Sequence, residues 1–205
     1  MNRNIEQATE VALKRRSHYA LSAEWVAPQE DVETLLKSVL RSVPTHFNSQ
    51  SVRMVLLTDD AHRRHWELIE QILISQIGEE QYNKSTRAKI HNSFMSGVGT
   101  VLYFEESSIT KGLSEQMPLY ADNFAKWAHQ VQGSHQWAVW IGLTELGFGA
   151  SLQHYIGMND TAIKEQVGVP AEWEFIAHMP FGKALDDPEV KPKTSMGELL
   201  KVLNR

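Results

Sequence analysis

The stretch Ser134 to Tyr155, SHQWAVWIGLTELGFGASLQHY, decides the fold. Trp137, Ala138, Val139, Trp140, Ile141, Leu143 and Leu146 make its first half apolar almost all round, leaving Gln136, Thr144 and Glu145 as polar positions. A helix of that kind belongs in a core or against a partner. Gly147 and Gly149 flank Phe148, and either supplies a left-handed cap. The ASLQHY that follows is short, mixed and strand-like. A buried helix that stops at glycines and delivers a polar extended segment suits a flat ligand. A plain core helix with a glycine stop explains the same residues.

Outward from this stretch, the periodicity predicts a helix over Asn4 to Arg16, with Ile5, Ala8, Ala12 and Leu13 as its stripe and Lys14, Arg15 and Arg16 in its last turn. Cations there complement the helix dipole. After a connector from Tyr19 to Pro28, Gln29 to Arg41 reads as an amphipathic helix on Val32, Leu35, Leu36, Val39 and Leu40, ended at Ser42-Val43-Pro44. Val52 to Thr58 reads as a strand and Ala61 to Ile77 as a helix. Asn83 to Met95 is a weaker helix, and Gly97 to Phe104 a strand apolar enough for a sheet interior. Glu105 to Met117 reads as a loop with a short helix. Tyr120 to Val131 is helical, and Gly133-Ser134 separates it from the central helix. A short Asn- or Asp-capped helix over Asn159 to Val167, a strand over Trp173 to Met179 and an amphipathic helix over Ser195 to Leu203 complete the chain. Helices and strands do not alternate regularly, so the class is α+β.

The 205 residues fit one domain, 1–205. A net charge of −5 argues against a nucleic-acid binder. No cysteine is present, which excludes disulfides, thiolate metal sites and a cysteine nucleophile. The N-terminal residues lack the apolar run of a signal peptide, and no stretch approaches the roughly 18 apolar residues of a membrane span. A cytoplasmic protein is the expectation.

Several motifs carry little. GVGTVL at Gly97 lacks a third glycine and sits inside a strand, and GFGAS at Gly147 follows a helix, so neither is a dinucleotide fingerprint. His62 and His65, in HRRH, lie one helical turn apart, but without an acidic partner they read as a solvated helix face rather than metal ligands. No GxSxG elbow supports a hydrolase. Three segments say more together: RRS at Arg15 to Ser17, VPTHFNSQS at Val43 to Ser51, and EVKPK at Glu189 to Lys193. Arginine grips phosphate in a bidentate way and lysine neutralises it. Asparagine and glutamine both donate to and accept from a heterocycle edge. That is the inventory for a phosphorylated cofactor with a hydrogen-bonding ring.

On these segments the chain resembles the nitroreductase family of FMN-dependent, NAD(P)H-using oxidoreductases, and within it the small fatty-acid-repression-mutant-type branch. The resemblance runs through KRRSHYAL (Lys14 to Leu21), SVPTHFNSQSVRMVLL (Ser42 to Leu57) and GVGTVLYFE (Gly97 to Glu105). It continues through WAVWIGLTELGFGASLQHY (Trp137 to Tyr155) and MPFGKALDDPEVKPKTSMGEL (Met179 to Leu199). It implies a homodimer with a central mixed sheet wrapped by helices and two FMN sites at the subunit interface. It implies that Arg15, Arg16 and Ser17 serve phosphate and the pyrimidine edge. Pro44, Thr45, His46, Asn48 and Gln50 would come from the second subunit, Leu152, Gln153 and His154 would run along the isoalloxazine, and Lys191 and Lys193 would meet the phosphate. An amide near Leu152 or Gln153 would donate to the hydride-accepting ring nitrogen, and no side chain would be catalytic. Relatives carry an Asn and a Lys before the second strand, where this chain has KIHNSFMSGVG with only Asn92 as a match. The activity implied is reduction of nitroaromatics or quinones by NADH or NADPH, plausible in an oxidative or nitrosative stress response. The alternative is a non-catalytic flavin-binding protein of the same fold that senses redox state or holds a lipid-like ligand. An all-structural helical dimer would leave Arg15, Arg16, Lys191 and Lys193 as solvated charges.

Overall fold

The computed structural model describes residues 3–203, without the side chains of residues 3, 4, 7 and 8, so Ala8 of the predicted N-terminal stripe lies outside the described side chains. The elements in chain order are α1 (Arg3–Lys14), β1 (Leu21–Ser22), α2 (Gln29–Ser42), β2 (Val52–Thr58), α3 (Asp59–Ile77), α4 (Glu79–Ser85), α5 (Arg87–Lys89), β3 (Gly99–Glu106), α6 (Ser107–Gln116), α7 (Ala121–Glu145), β4 (Gly149–Ala150), α8 (Asp160–Val167), β5 (Trp173–Ala184) and α9 (Met196–Leu199). The class is α+β, as the sequence predicts.

The sheet runs β1-β5-β3-β2, with β4 also on β5, and every strand pair is antiparallel. Among the described residues its parallel component is one bridge, Ser17 to Ala150. β3 lies between β2 and β5 and is buried on both faces. Val101 and Tyr103 join α2 and α7 in one core, with Val32, Leu36, Val39, Val139 and Leu143. Leu102 and Phe104 point the other way, to Trp66, Ile69, Leu73, Tyr82 and Ile163 on α3, α4 and α8. This is why GVGTVLYF reads as an unbroken apolar run.

The central helix is longer than predicted. α7 passes straight through Gly133-Ser134. Gly133 faces open space, so it costs about 1 kcal/mol of helix propensity while the buried Val131, Gln132, His135 and Gln136 hold the helix on either side. Gln136 is thus a buried polar residue, and Trp137 is the exposed one, at 45%. The helix ends as predicted, with Gly147 at φ +90°. The C-terminal helix shrinks to the four residues of α9, and Leu199, Leu200, Val202 and Leu203 are exposed. With no surface of this chain under its stripe, a segment that short does not sustain a helix. α6 fills most of the predicted loop after β3.

His62 and His65 are core residues and not a solvated face, at 3% and 0% exposure. Thr100 Oγ1 lies 2.9 Å from His62 Nδ1 and accepts from Trp66 Nε1 at 3.0 Å, and His62 Nε2 meets the Met95 carbonyl at 3.2 Å. His65 Nε2 lies 2.8 Å from His178 Nδ1, and His178 Nε2 lies 3.2 Å from the Tyr155 carbonyl. Neutral rings with the proton on Nε2 satisfy His62 and the run from His65 through His178 to Tyr155, while His65 Nδ1 is left 3.3 Å from the Gln166 side-chain oxygen, itself an acceptor. Among the described residues no group of three His, Cys, Asp or Glu side chains is placed to hold a metal. Burial pushes His62 and His65 down to about 4, and His178 well below its usual range. Below pH ~6.5 the unfolded chain therefore binds protons that the folded chain refuses. Stability is full above that pH and falls toward pH ~4, by on the order of 1 kcal/mol per pH unit. Urea unfolding at pH 7.5 and pH 5.0 should show that loss, and His62→Gln should flatten the slope. Equal stability at both pH values would contradict the buried neutral network.

Candidate cofactor and substrate site

The outer edge of β5 collects three of the predicted site segments. Its inner edge is taken by β3. Along the outer edge, β1 pairs at Lys183 and Ala184, β4 pairs at Phe181 and Gly182, and Gln153 bridges His178. Gln153 N–H donates to the His178 carbonyl at 2.8 Å, and the Gln153 carbonyl accepts from His178 N–H at 2.9 Å. One layer further out, Ser17 pairs with Ala150, and His18 N–H donates to the Ala150 carbonyl at 3.0 Å. The RRS segment and the SLQHY segment are therefore neighbours, held by backbone hydrogen bonds.

The chain after β5 folds back over the same place. Leu185 N–H donates to the Ala20 carbonyl at 2.8 Å, and Arg16 donates to the Glu189 carbonyl. Asp186 accepts from His18 Nδ1 at 2.9 Å and from the amides of Tyr19 and Ala20. Burial alone would raise the Asp186 pKa, but the His18 and amide hydrogen bonds outweigh it and hold the carboxyl below its usual range. Lys191 and Lys193 follow directly on this anchored segment and are exposed. The two basic segments from opposite ends of the chain thus converge.

Arg15 lies just beyond α1, not in its last turn. Its guanidinium stacks on α7, 4.3 Å from the Trp140 ring centre and 5.4 Å from that of Trp137. Its Nε is buried with no acceptor. Burial, then the charge of Arg16, lower its pKa, but arginine starts so high that it stays a cation. Along the SLQHY segment, the Gln153 amide is committed to His178, and its buried side chain donates to Ser151 Oγ at 3.1 Å. The amides of Leu152 and His154 have no acceptor within the described chain, so they replace Gln153 as the available donors.

The Pro44 to Gln50 loop lies elsewhere. His46 packs 5.9 Å from Phe124 and 6.4 Å from Trp127, and Phe47 packs 6.0 Å from Trp127, on the first half of α7. Trp127 and Trp140 are about 20 Å apart along the helix, so within one chain this loop does not join Arg15. Phe47, Asn48 and Gln50 have φ of 50°, 53° and 48°. Backbone of this kind costs about 1–3 kcal/mol per residue and concentrates at ligand clamps. Thr45 Oγ1 supports the loop by accepting from Gln50 N–H at 3.1 Å. His46, Phe47, Trp127, Gln130, Val131 and Ser134 line a cavity of about 300 Å³. Both His46 ring nitrogens are buried without partners, and burial, opposed weakly by Glu105, lowers the His46 pKa.

Residues 12–183 match the model of the nitroreductase family. The chain belongs to that family. Nitroreductase FRM2 of Saccharomyces cerevisiae is 30% identical over 86% of this chain and 88% of its own length. Nitroreductase CinD from Lactococcus lactis, solved in complex with chloramphenicol, superposes with a TM-score of 0.88 at 32% identity, covering 96% of this chain and all of that one. CinD has also been solved with 4-nitrophenol and with nicotinic acid. A Desulfovibrio desulfuricans protein solved with FMN shares the fold at 17% identity, with a TM-score of 0.68 over 93% of each chain. Membership gives the coarse activity, oxidoreduction of nitro compounds.

Some residues around the RRS and SLQHY segments escape sequence reading. Lys89 precedes a π-helix over Ile90–Phe94 that carries Asn92, and its Nζ lies 5.8 Å from the Tyr19 ring centre, next to the RRS segment. The spacing K-x-x-N in KIHN was the available signal. Asp186 and Trp140 gave no such signal. Gly149 is where a side chain cannot be accommodated: a Cβ there would lie 2.8 Å from Ala184 Cβ and 2.9 Å from His18 Cβ. Gly149→Ala should lower stability by about 1–3 kcal/mol and weaken ligand retention by prising the RRS segment off the edge. Thermal unfolding with unchanged midpoint would contradict this packing.

Proposed function

We propose that this chain is an FMN-dependent NAD(P)H oxidoreductase, a single nitroreductase-like domain over 1–205 that works as a cytoplasmic homodimer on nitroaromatics and quinones, with a role in stress response. The observation that carries the reading is that the RRS segment meets both the chain at Glu189, two residues before Lys191, and Ala150 at the start of the SLQHY segment. The residues fit FMN. Among the described residues, Arg15 brings an orphaned buried donor, the two lysines bring charge with no ion-pair partner for a phosphate of nearly two negative charges, and Leu152 and His154 bring amides without an acceptor. FMN supplies the hydride chemistry when bound.

The protein's part is to bind and orient. Arg15 and the lysines hold phosphate, and the amides of Leu152 and His154 donate to the ring edge. Arg16 anchors the C-terminal segment through the Glu189 carbonyl, so its share in the site is structural as well as electrostatic. Donors near Ser17 favour negative charge on the pyrimidine end. The Pro44 to Gln50 loop completes the site from the partner subunit. Exposed Trp137 and the cavity beside His46 and Trp127 are the surfaces such a dimer would cover. That cavity is aromatic, which suits a flat acceptor. CinD's complexes with 4-nitrophenol, chloramphenicol and nicotinic acid support a pocket for flat rings, and the FMN bound to the Desulfovibrio protein supports the cofactor.

The purified protein should be yellow, bleached by NADH or NADPH, and recoloured by a nitroaromatic or a quinone. A colourless protein that ignores added FMN would contradict the reading. A yellow protein that NAD(P)H does not reduce at a useful rate would favour the non-catalytic flavin-binding alternative. Arg15→Ala should weaken flavin retention at least about tenfold, the scale of one charge-assisted hydrogen bond. Arg63→Ala should leave it unchanged, because Arg63 is exposed and paired with Glu67 and Asp60.

A further inference from the structure

The stacked pair Arg15 and Trp140 holds two buried N–H groups that have no acceptor among the described residues, Arg15 Nε and Trp140 Nε1. A buried donor without a partner is uncommon, and each forfeits the hydrogen bond it would make with water. Two on one stacked pair mark a place where an acceptor belongs. The geometry adds a second function for the indole. A guanidinium whose carbon lies 4.3 Å from a ring centre is held over the aromatic face, which restricts where its donor fork can point. Trp140 sits on α7 between Val139 and Leu143, both fully buried, so its own position is set by the core. Arg15 follows the end of α1 and has no equivalent anchor in its backbone beyond one hydrogen bond, from its N–H to the Val11 carbonyl at 3.2 Å.

We propose that Trp140 is a positioning residue for the flavin phosphate. Its indole face fixes the Arg15 fork, and its N–H gives the same anion a second donor. The inference rests on the FMN reading above and names a residue that the phosphate grip depends on. It predicts discrimination for the phosphate itself, since riboflavin has the same ring and no anion to grip.

The test is titration of flavin-free protein with FMN and with riboflavin, followed by quenching of flavin fluorescence, for wild type, Arg15→Ala, Trp140→Phe, Trp140→Leu and the Arg15→Ala/Trp140→Leu double variant. Wild type should prefer FMN. Trp140→Leu should weaken FMN about tenfold and leave riboflavin unchanged. Trp140→Phe keeps a ring under Arg15 and loses the N–H, so it should fall between wild type and Trp140→Leu. The double variant should lose less FMN affinity than the two single losses multiplied, because the indole face acts through Arg15 and only the indole N–H acts on the anion directly. The proposal is overturned by wild-type FMN affinity in Trp140→Leu, by equal losses for FMN and riboflavin, or by losses that multiply in the double variant. Should Trp140→Leu fail to fold, Trp140→Phe with undiminished FMN preference overturns the second-donor role, and a reduced preference supports it. A wild-type protein that binds no FMN overturns the flavin reading itself.

Discussion

The outer edge of β5 is the constraint on which the site depends. A sheet edge presents a row of N–H and C=O groups that must be paired or solvated. Here that row is paired by β1, by β4 and by Gln153 in succession, and each brings a site segment with it. Backbone hydrogen bonds give each segment a fixed register. The relative positions of Ser17, Ala150 and Gln153 are therefore set by the spacing of one strand and not by the packing of mobile side chains. Because β5 is itself pinned by β3, whose two faces carry the two cores, the platform inherits the rigidity of the whole sheet.

The buried histidines support the same edge from below. His178 is the residue that Gln153 bridges, and its ring reaches the Tyr155 carbonyl while accepting from His65. The motif HRRH thus contributes to the site through structure, by fixing the far end of SLQHY against α3. On the other flank, Asp186 and Arg16 tie the chain after β5 to the chain before β1. Arg16 and Glu189, 173 positions apart, and His18 and Asp186, 168 apart, are brought together by a handful of hydrogen bonds.

Much of the architecture is legible in the sequence because it depends on periodicity. The apolar run of β3, the stripe of α2 and the glycine stop after α7 each follow from local patterns that burial then rewards. What escapes has a tertiary cause. Gly133 looks like a break, but helix contacts on both sides override a propensity cost of about 1 kcal/mol. HRRH looks like a surface, yet Thr100, Met95 and His178 satisfy the two rings inside the core. β1 has only two residues and no periodicity to read. For the site, residue types suggest phosphate and ring contacts, and order along the chain suggests the family. Commitment of the Gln153 amide to His178, the indole beneath Arg15 and the bond from Arg16 to a carbonyl depend on side-chain direction, which no spacing encodes.

The strained loop at Phe47 to Gln50 stays apart from the rest of the site in one chain, about 20 Å along α7 from Arg15. In the proposed dimer a twofold-related copy would remove that separation by laying its own loop at the site. A crystal structure of the yellow protein tests the central claim most directly. The account predicts phosphate in contact with Arg15, flanked by Lys191 and Lys193, the ring along Leu152 to His154, and the loop of a second subunit against it. Flavin bound elsewhere, or held wholly within one chain, would contradict it.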